Sequence, residues 1–361
     1  MVVPKTGRSD ARAKGRRAAV RLADLAAELN VSTATVSRAL NGSSVVRPEV
    51  VQRVRMLASQ RGYVPNRLAR SLAALSQPFV GFLVPDVHNL AYSIAAGECA
   101  RLLRATGHQL ILAISGDDPE RELEALSGLA GAQVAGLIAA PSIGITDRSR
   151  EILSTLPVVE FNRSGALAAP GVFCDDRSAF EEAADHLIAL GHRDIAYLGT
   201  TDRVSNGRAR LEGTRTALRR AGLSLAPRRT RLEAPTELDG YQAARGLLDG
   251  ADPPSALLVG SSSLSIGAAR AVRELDASVP GNLSLVVYGD RDWPALCHPG
   301  LTTIAVPYRE MAEVVAGLML GLITTQGGEP ARSGTGPEHR LLPAELVVRA
   351  STAGNRRTVG A

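Results

Sequence analysis

A short run near the amino terminus, Thr33, Ala34, Thr35, Ser37 and Arg38, joins small hydroxyl side chains to one fork-shaped cation. Such residues approach phosphates and base edges closely, and an arginine grips guanine O6 and N7 with two bonds. The alternative is an ordinary polar face turned to solvent. The flanking pattern supplies the scaffold that would place them. Leu22, Leu25, Ala26 and Leu29 recur at helical spacing, and Asn30-Val31 interrupts the run. Ser32 is placed to cap a second helix, Thr33 to Leu40, with Val36 and Leu40 on its inner face and Asn41-Gly42 as its stop. Pro48 opens a third helix with Glu49 in its first turn, and Val50, Val54 and Leu57 form its apolar stripe. Two short helices across a tight turn, closed by a third, form a helix-turn-helix head whose second helix enters the major groove.

Charge follows the same division. Residues 1–72 hold fourteen Lys/Arg against four Asp/Glu, a net +10, while residues 73–361 hold twenty-seven against thirty-two, a net −5. The whole basic excess therefore lies on the head, as in a nucleic-acid binder. With aromatics at 3%, the core must be built from Ala, Leu, Val and Ile. Cys99, Cys174 and Cys297 lie far apart, in or beside apolar stretches, and read as buried free thiols rather than a disulfide framework or zinc site. The first residues lack an apolar signal core, and no run is long and apolar enough to span a bilayer. A cytoplasmic protein is expected, with no membrane partner and residues 1–19 as a disordered basic arm.

From Phe79 the pattern becomes α/β. FVGFLVP (79–85), QLILAIS (109–115), VAGLIAAP (134–141), PVVEF (157–161) and GVFC (171–174) read as buried strands, with helices near 89–106 and 118–130. DIAYLG (194–199), SALLVG (255–260) and LSLVVYG, ending at Gly289, form a second set, with helices at 178–190, 207–221, 237–249 and 262–275. Two doubly wound parallel-sheet lobes are expected, with a ligand cleft between the carboxyl ends of their strands.

VSTATVSRALNG followed by GYVPNRLARSL resembles the LacI/GalR family of transcriptional regulators, and LGHRDIAYLG (190–199), RARLEG (208–213) and LTTIAVP (301–307) resemble its core. The resemblance runs from about residue 20 to 353. It implies an all-α helix-turn-helix head (20–65), a hinge helix and linker (66–77), a two-lobed effector-binding and dimerisation core like periplasmic binding proteins (78–353), and a tail (354–361). Within the core it implies a first lobe of about 78–174 and 307–335, and a second of about 175–306 and 336–353. It also implies that Thr33 and Ala34 hold the main base-reading positions, with Ser32, Thr35, Ser37, Arg38, Asn41, Tyr63, Asn66, Arg67 and Arg70 as further DNA contacts. Leu72 is then an apolar wedge at the operator centre, where such insertions kink DNA; otherwise it is a packed leucine of the linker.

For the cleft, Asp86 follows the first strand and either accepts from a ligand hydroxyl or caps the next helix. The resemblance gives Tyr92 as a ring that stacks on an effector, against ordinary packing. It gives Asn162 of the FNR motif, Ser261, Tyr288 and Asp290 as further effector contacts. Arg210 of RARLEG is the arginine that grips the effector, or else a surface ion pair. Two departures stand out: Ser261-Ser262 replaces an Asn-Asp pair common in sugar-responsive members, and Gly289 stands where they carry an Asp. A simple pyranose effector is thereby doubtful, and a different, larger or anionic molecule is the alternative.

No phosphate-binding loop, dinucleotide fingerprint, nucleophile elbow or H-E-x-x-H occurs, and the six histidines form no metal-ligand spacing. The expectation is therefore a homodimeric, non-enzymatic repressor without cofactors, on double-stranded operator DNA and under a small-molecule effector. A solute-binding protein of a transport system is the alternative. The carboxyl-terminal tail lacks heptads, so no extra tetramer-forming helix is expected.

Overall fold

The structure is a computed structural model that describes residues 22–40, 46–61, 79–165, 167–289, 292–325 and 338–355. Its chain divides into two compact units, Met1–Leu75 and Ser76–Ala361. Asn41, Tyr63, Asn66, Arg67, Arg70, Leu72 and Asp290 lie outside the described residues, as do the expected hinge helix and basic arm.

In the first unit three helices, α1 (Leu22–Leu29), α2 (Thr33–Leu40) and α3 (Pro48–Gln60), enclose a small core of Leu25, Ala26, Val36, Ala39, Val54 and Ala58. The turn between α1 and α2 is made by Asn30, whose φ of 53° an asparagine tolerates better than most residues. The end of α3 is tied back to α1 by an Arg61–Glu28 ion pair at 2.8 Å. Val36 and Val54 are fully buried as expected, Ala39 and Ala58 join them in the core, and Leu40, Val50 and Leu57 pack against it half-buried.

The second unit is two α/β lobes with the same strand order. The first sheet holds β1 (Phe79–Val84), β2 (Gln109–Ile114), β3 (Gly136–Ala139), β4 (Val158–Phe161), β5 (Gly171–Cys174) and β11 (His339–Leu342) in the order β11-β5-β4-β3-β1-β2. The second holds β6 (Ile195–Thr200), β7 (Thr230–Glu233), β8 (Ala256–Val259), β9 (Ser284–Tyr288), β10 (Thr302–Ala305) and β12 (Glu345–Val347) in the order β12-β10-β9-β8-β6-β7. Every pairing is parallel except β10 with β12. Helices α4 (Leu90–Ala105), α5 (Pro119–Gly131) and α6 (Asp147–Ser154) cover the first sheet. The second is covered by α7 (Asp176–Ala189), α8 (Ser205–Arg220), α9 (Glu237–Leu248) and α10 (Ser262–Glu274), with short α11 (Asp292–Leu296) beside it. The last helix, α12 (Tyr308–Thr325), returns to the first lobe, where Met311, Ala312, Val315 and Met319 join its core.

Three expectations are corrected. β2 is an edge strand rather than a buried one: Leu112 is 38% and Ile114 51% exposed. The first lobe extends past 335, because β11 pairs with β5 and the chain reaches the second lobe only at β12. Cys297 is half-buried, while Cys99 and Cys174 are buried free thiols.

Among the described residues the chain passes between the lobes three times, at 174–176, 305–308 and 342–345. Asp175 N–H donates to the Leu342 carbonyl at 2.8 Å, joining the first and third passages. Val306 and Ala344 pack against the cores of both lobes.

Candidate functional sites in the head and the cleft

In the head, Ser32 caps α2: its hydroxyl accepts from Thr35 N–H at 3.1 Å and meets the Thr35 hydroxyl at 2.8 Å. These two hydroxyls are therefore occupied by the helix start. Thr33, Ala34 and Arg38 are exposed on its outer face, with Ser37 half-buried beside them. Val36 and Ala39 of the same helix are fully buried, which fixes the direction of that face. Among the described residues Arg38 makes no ion pair, so its guanidinium is available to an outside acceptor.

In the core, a cleft of about 660 Å³ opens between the carboxyl ends of the parallel strands of both lobes. Asp86 enters after β1, Asp117 after β2, Asn162 and Arg163 after β4, Thr200 at the end of β6, Ser261 after β8 and Tyr288 from β9. Tyr308, at the start of α12, completes the wall. All the described effector candidates, Asp86, Tyr92, Asn162, Arg210, Ser261 and Tyr288, line this one space.

Their engagement differs. Asp86 Oδ1 accepts from the backbone N–H and Nδ1 of His88, each at 2.9 Å; Asn89, not Asp86, caps α4 by accepting from Ala91 N–H at 3.0 Å. Tyr92 is 2% exposed, its ring edge-on to Phe161 with centroids 6.3 Å apart, so most of the ring is packing. Burial pushes its phenol up, against the nearby Arg163 and a bond to Asn162. Asn162 has φ 65° and is buried, and its carbonyl accepts from Asn206 Nδ2 of the other lobe at 3.3 Å. A second interlobe bond runs from Ser164 N–H to the Ser205 hydroxyl at 2.8 Å. The Ser262 and Tyr308 hydroxyls stand 3.4 Å apart across the same boundary.

Arg210 is neither a surface ion pair nor a free hand. It donates to Asp176 Oδ2 at 3.0 Å, to the Tyr288 hydroxyl at 2.8 Å and to the Gly260 carbonyl at 2.9 Å, and its guanidinium carbon lies 4.1 Å from the Tyr288 ring centroid. Tyr288 in turn donates to Asp176 Oδ1 at 2.8 Å. Although burial opposes its charge, the Asp176 carboxylate holds the guanidinium ionised. Nε of Arg210 is buried without a protein partner.

A second arginine was not singled out from the sequence. Arg163, beside Asn162 in the same FNR motif, donates to Asp117 Oδ1 at 2.7 Å and Oδ2 at 3.1 Å, a bidentate pair. Asp117 itself sits at φ 59° and also accepts from Ile143 N–H at 2.9 Å. An arginine next to a strand's end was the available signal; a carboxylate forty-odd residues earlier was invisible without the fold. Asn206 and Tyr308 were missed for the same reason. Among the described residues no cluster of His, Cys, Asp or Glu could hold a metal ion. His192 bridges the Ser255 and Ser284 hydroxyls at 3.0 and 2.9 Å inside the second lobe.

Gly289 has φ 85°, and a Cβ there would lie 2.4 Å from the Ser262 hydroxyl. The left-handed backbone favours glycine here, and any side chain at 289 would have to displace the Ser262 hydroxyl from its present position.

Comparison with known proteins places the chain in a family. Residues 21–66 match the model of bacterial regulatory proteins, lacI family, and residues 184–352 that of a periplasmic binding protein-like domain. The HTH-type transcriptional regulator AglR of Rhizobium meliloti (strain 1021) is 32% identical over 342 residues, 92% of this chain and 94% of that protein. The HTH-type transcriptional repressor CytR of Escherichia coli (strain K12) is 28% identical over 347 residues, 94% of this chain and 98% of that one. The crystal structure of the Lac repressor dimer bound to operator and the anti-inducer ONPF is similar with a TM-score of 0.79 and 25% identity, covering 93% of this chain and 99% of that chain. The chain belongs to the LacI family of bacterial regulatory proteins, transcriptional regulators that join a helix-turn-helix head to a periplasmic-binding-protein-like core.

Proposed function

We propose that this protein is a non-enzymatic repressor that binds a palindromic operator as a homodimer and is controlled by a small molecule held between its lobes. The observation that carries the reading is the cleft itself. It gathers polar side chains from strand ends of both lobes, so a molecule bound there contacts both and changes the free energy of their arrangement. The exposed Thr33, Ala34 and Arg38 supply the base-reading face. A single helix-turn-helix reads only a few base pairs, so two heads on two half-sites are needed. The Lac repressor dimer on its operator is the relative that shows such an assembly.

Footprinting of the full-length protein on fragments of its own genome tests this. The expected result is a symmetric protected site bound by two chains, with an affinity that shifts when a cleft ligand is added. By linkage, operator DNA must shift the ligand's affinity by the same factor. An asymmetric half-site held by one chain would overturn the dimer. A tight cleft ligand without effect on operator affinity would overturn the control.

A further inference from the structure

Glu160 is a carboxylate to which the reading above gives no part. It sits in β4 between Val159 and Phe161 and is fully buried. The interior of a sheet holds a carboxylate only where hydrogen bonds replace water. Small residues make room for it: its neighbours in the adjoining strands are Ala139 and Gly171, and a Cβ at Gly171 would lie 3.3 Å from its own. Both of its oxygens serve one short stretch, the turn 162–165 that follows the strand. Oε2 accepts from the Ser164 hydroxyl at 3.0 Å and Oε1 from Gly165 N–H at 2.5 Å. Arg150 of α6 donates to the Gly165 carbonyl at 3.0 Å. Pro141 packs beside Gly165, where a Cβ would come within 2.7 Å of its ring.

The other side of this turn faces the second lobe. The Asn162 carbonyl accepts from Asn206, and Ser164 N–H donates to Ser205. Ser205 and Asn206 are the first two residues of α8. Arg210, one turn further along that helix, holds Asp176 and Tyr288. The turn is therefore fixed from within the first lobe and rests on the helix that carries the second lobe's buried arginine.

We propose that Glu160 is the positioning residue of a latch between the lobes. It keeps the turn 162–165 in the shape that docks on the start of α8, and so sets how often the lobes adopt this arrangement without a ligand. This rests on the control reading above and adds the device that sets its resting point. A hydrogen bond made in one arrangement and lost in the other shifts their ratio by about two- to tenfold.

The test is amide hydrogen exchange, resolved to single residues, on the full-length protein without ligand, together with titration of the footprinted operator and of random DNA. Ser205→Ala is expected to speed exchange at Ser164 at least threefold and to leave Gly165, which Glu160 holds, at the parent rate. Glu160→Leu is expected to speed both. Glu160→Gln should return both close to the parent rate, since its amide oxygen accepts from Gly165 and its amide nitrogen donates to the Ser164 hydroxyl. Ser205→Ala and Glu160→Leu should each shift operator affinity at least threefold, with binding to random DNA unmoved. The double variant should shift it no further than Glu160→Leu alone, because both act through one turn. If Glu160→Leu does not fold, Gly165→Ala takes its place, since its Cβ must push the turn off Pro141, and the same outcomes are required. The proposal is overturned by parent exchange at Ser164 in Ser205→Ala, by additive effects in the double variant, or by operator affinity that these variants do not move. Operator affinity that answers a cleft ligand but none of these variants would remove the latch and leave the control reading standing.

Discussion

The two lobes repeat one strand order, yet they hold their arginines differently. In the second lobe Arg210 and Asp176 are almost sealed, with side chains 6% and 1% exposed. In the first lobe the Arg163 side chain is 7% exposed but Asp117 is 34% exposed. A sealed pair cannot be resolvated when one partner is lost; a half-open carboxylate can. The second-lobe arginine is therefore a scaffold that presents Tyr288 and the wall around it. The first-lobe pair keeps a carboxylate that water, or a ligand, still reaches. The same strand order thus yields one rigid wall and one adaptable wall.

The sharpest way to break this contrast is Arg210→Ala, which leaves Asp176 buried and unpaired. It is expected to destabilise the fold by about 3–5 kcal/mol, read by urea unfolding. A loss below that of Arg163→Ala would invert the comparison. Tyr288→Phe removes one bond to each member of the same pair and is expected to cost about 1–3 kcal/mol while preserving the fold. Arg163→Ala is expected to cost only about 1–2 kcal/mol, because Asp117 regains water, but to weaken cleft ligands more than Tyr288→Phe does.

The smallest effect concerns Glu122 of the first lobe. It is fully buried, its Oε2 accepting from Ser142 N–H at 2.5 Å while Oε1 has no partner. Burial pushes its carboxyl up, outweighing the Ser142 bonds and the nearby Arg163. A folded-state value above the unfolded one means that the native protein binds the proton more tightly. Its stabilising contribution is full below the ordinary carboxylate value and lost as pH rises through the raised one. The melting temperature of the parent relative to Glu122→Gln should therefore rise as the pH is lowered toward the ordinary carboxylate value. A flat difference would mean that the carboxyl titrates normally. In the head, Arg38→Ala should weaken operator binding roughly ten- to a hundredfold if it reads a guanine, and an equal loss on random DNA would make it a phosphate contact.

Periodicity was enough for the buried elements. Strands β1, β3, β4, β5, β6, β8 and β9 and helices α4, α5 and α7 to α10 lie within a few residues of where apolar runs and helical spacing put them, whereas α6, α12 and β10 were not anticipated. It failed at the margins. β2 looked buried because its residues are apolar, but strand order, which depends on distant pairing, leaves it at an edge. The short edge strand β7, TRLE, carries too few apolar residues to announce itself. In the cleft, Arg210 was legible through a motif, whereas Asp117 and Asn206 became visible only once β2 and α8 were set opposite Asn162 and Arg163. Residues brought together from separate loops leave no local signature.

The three interlobe passages lie on one seam, and two of them carry a proline, Pro307 and Pro343. Proline holds φ near −65°, so those spans resist twisting while still allowing flexion. Val306 and Ala344, each shared by both cores, act as the greased pin of that joint. Any hinge motion of one lobe against the other must bend the chain along this seam, as the spine of a book bends between its covers.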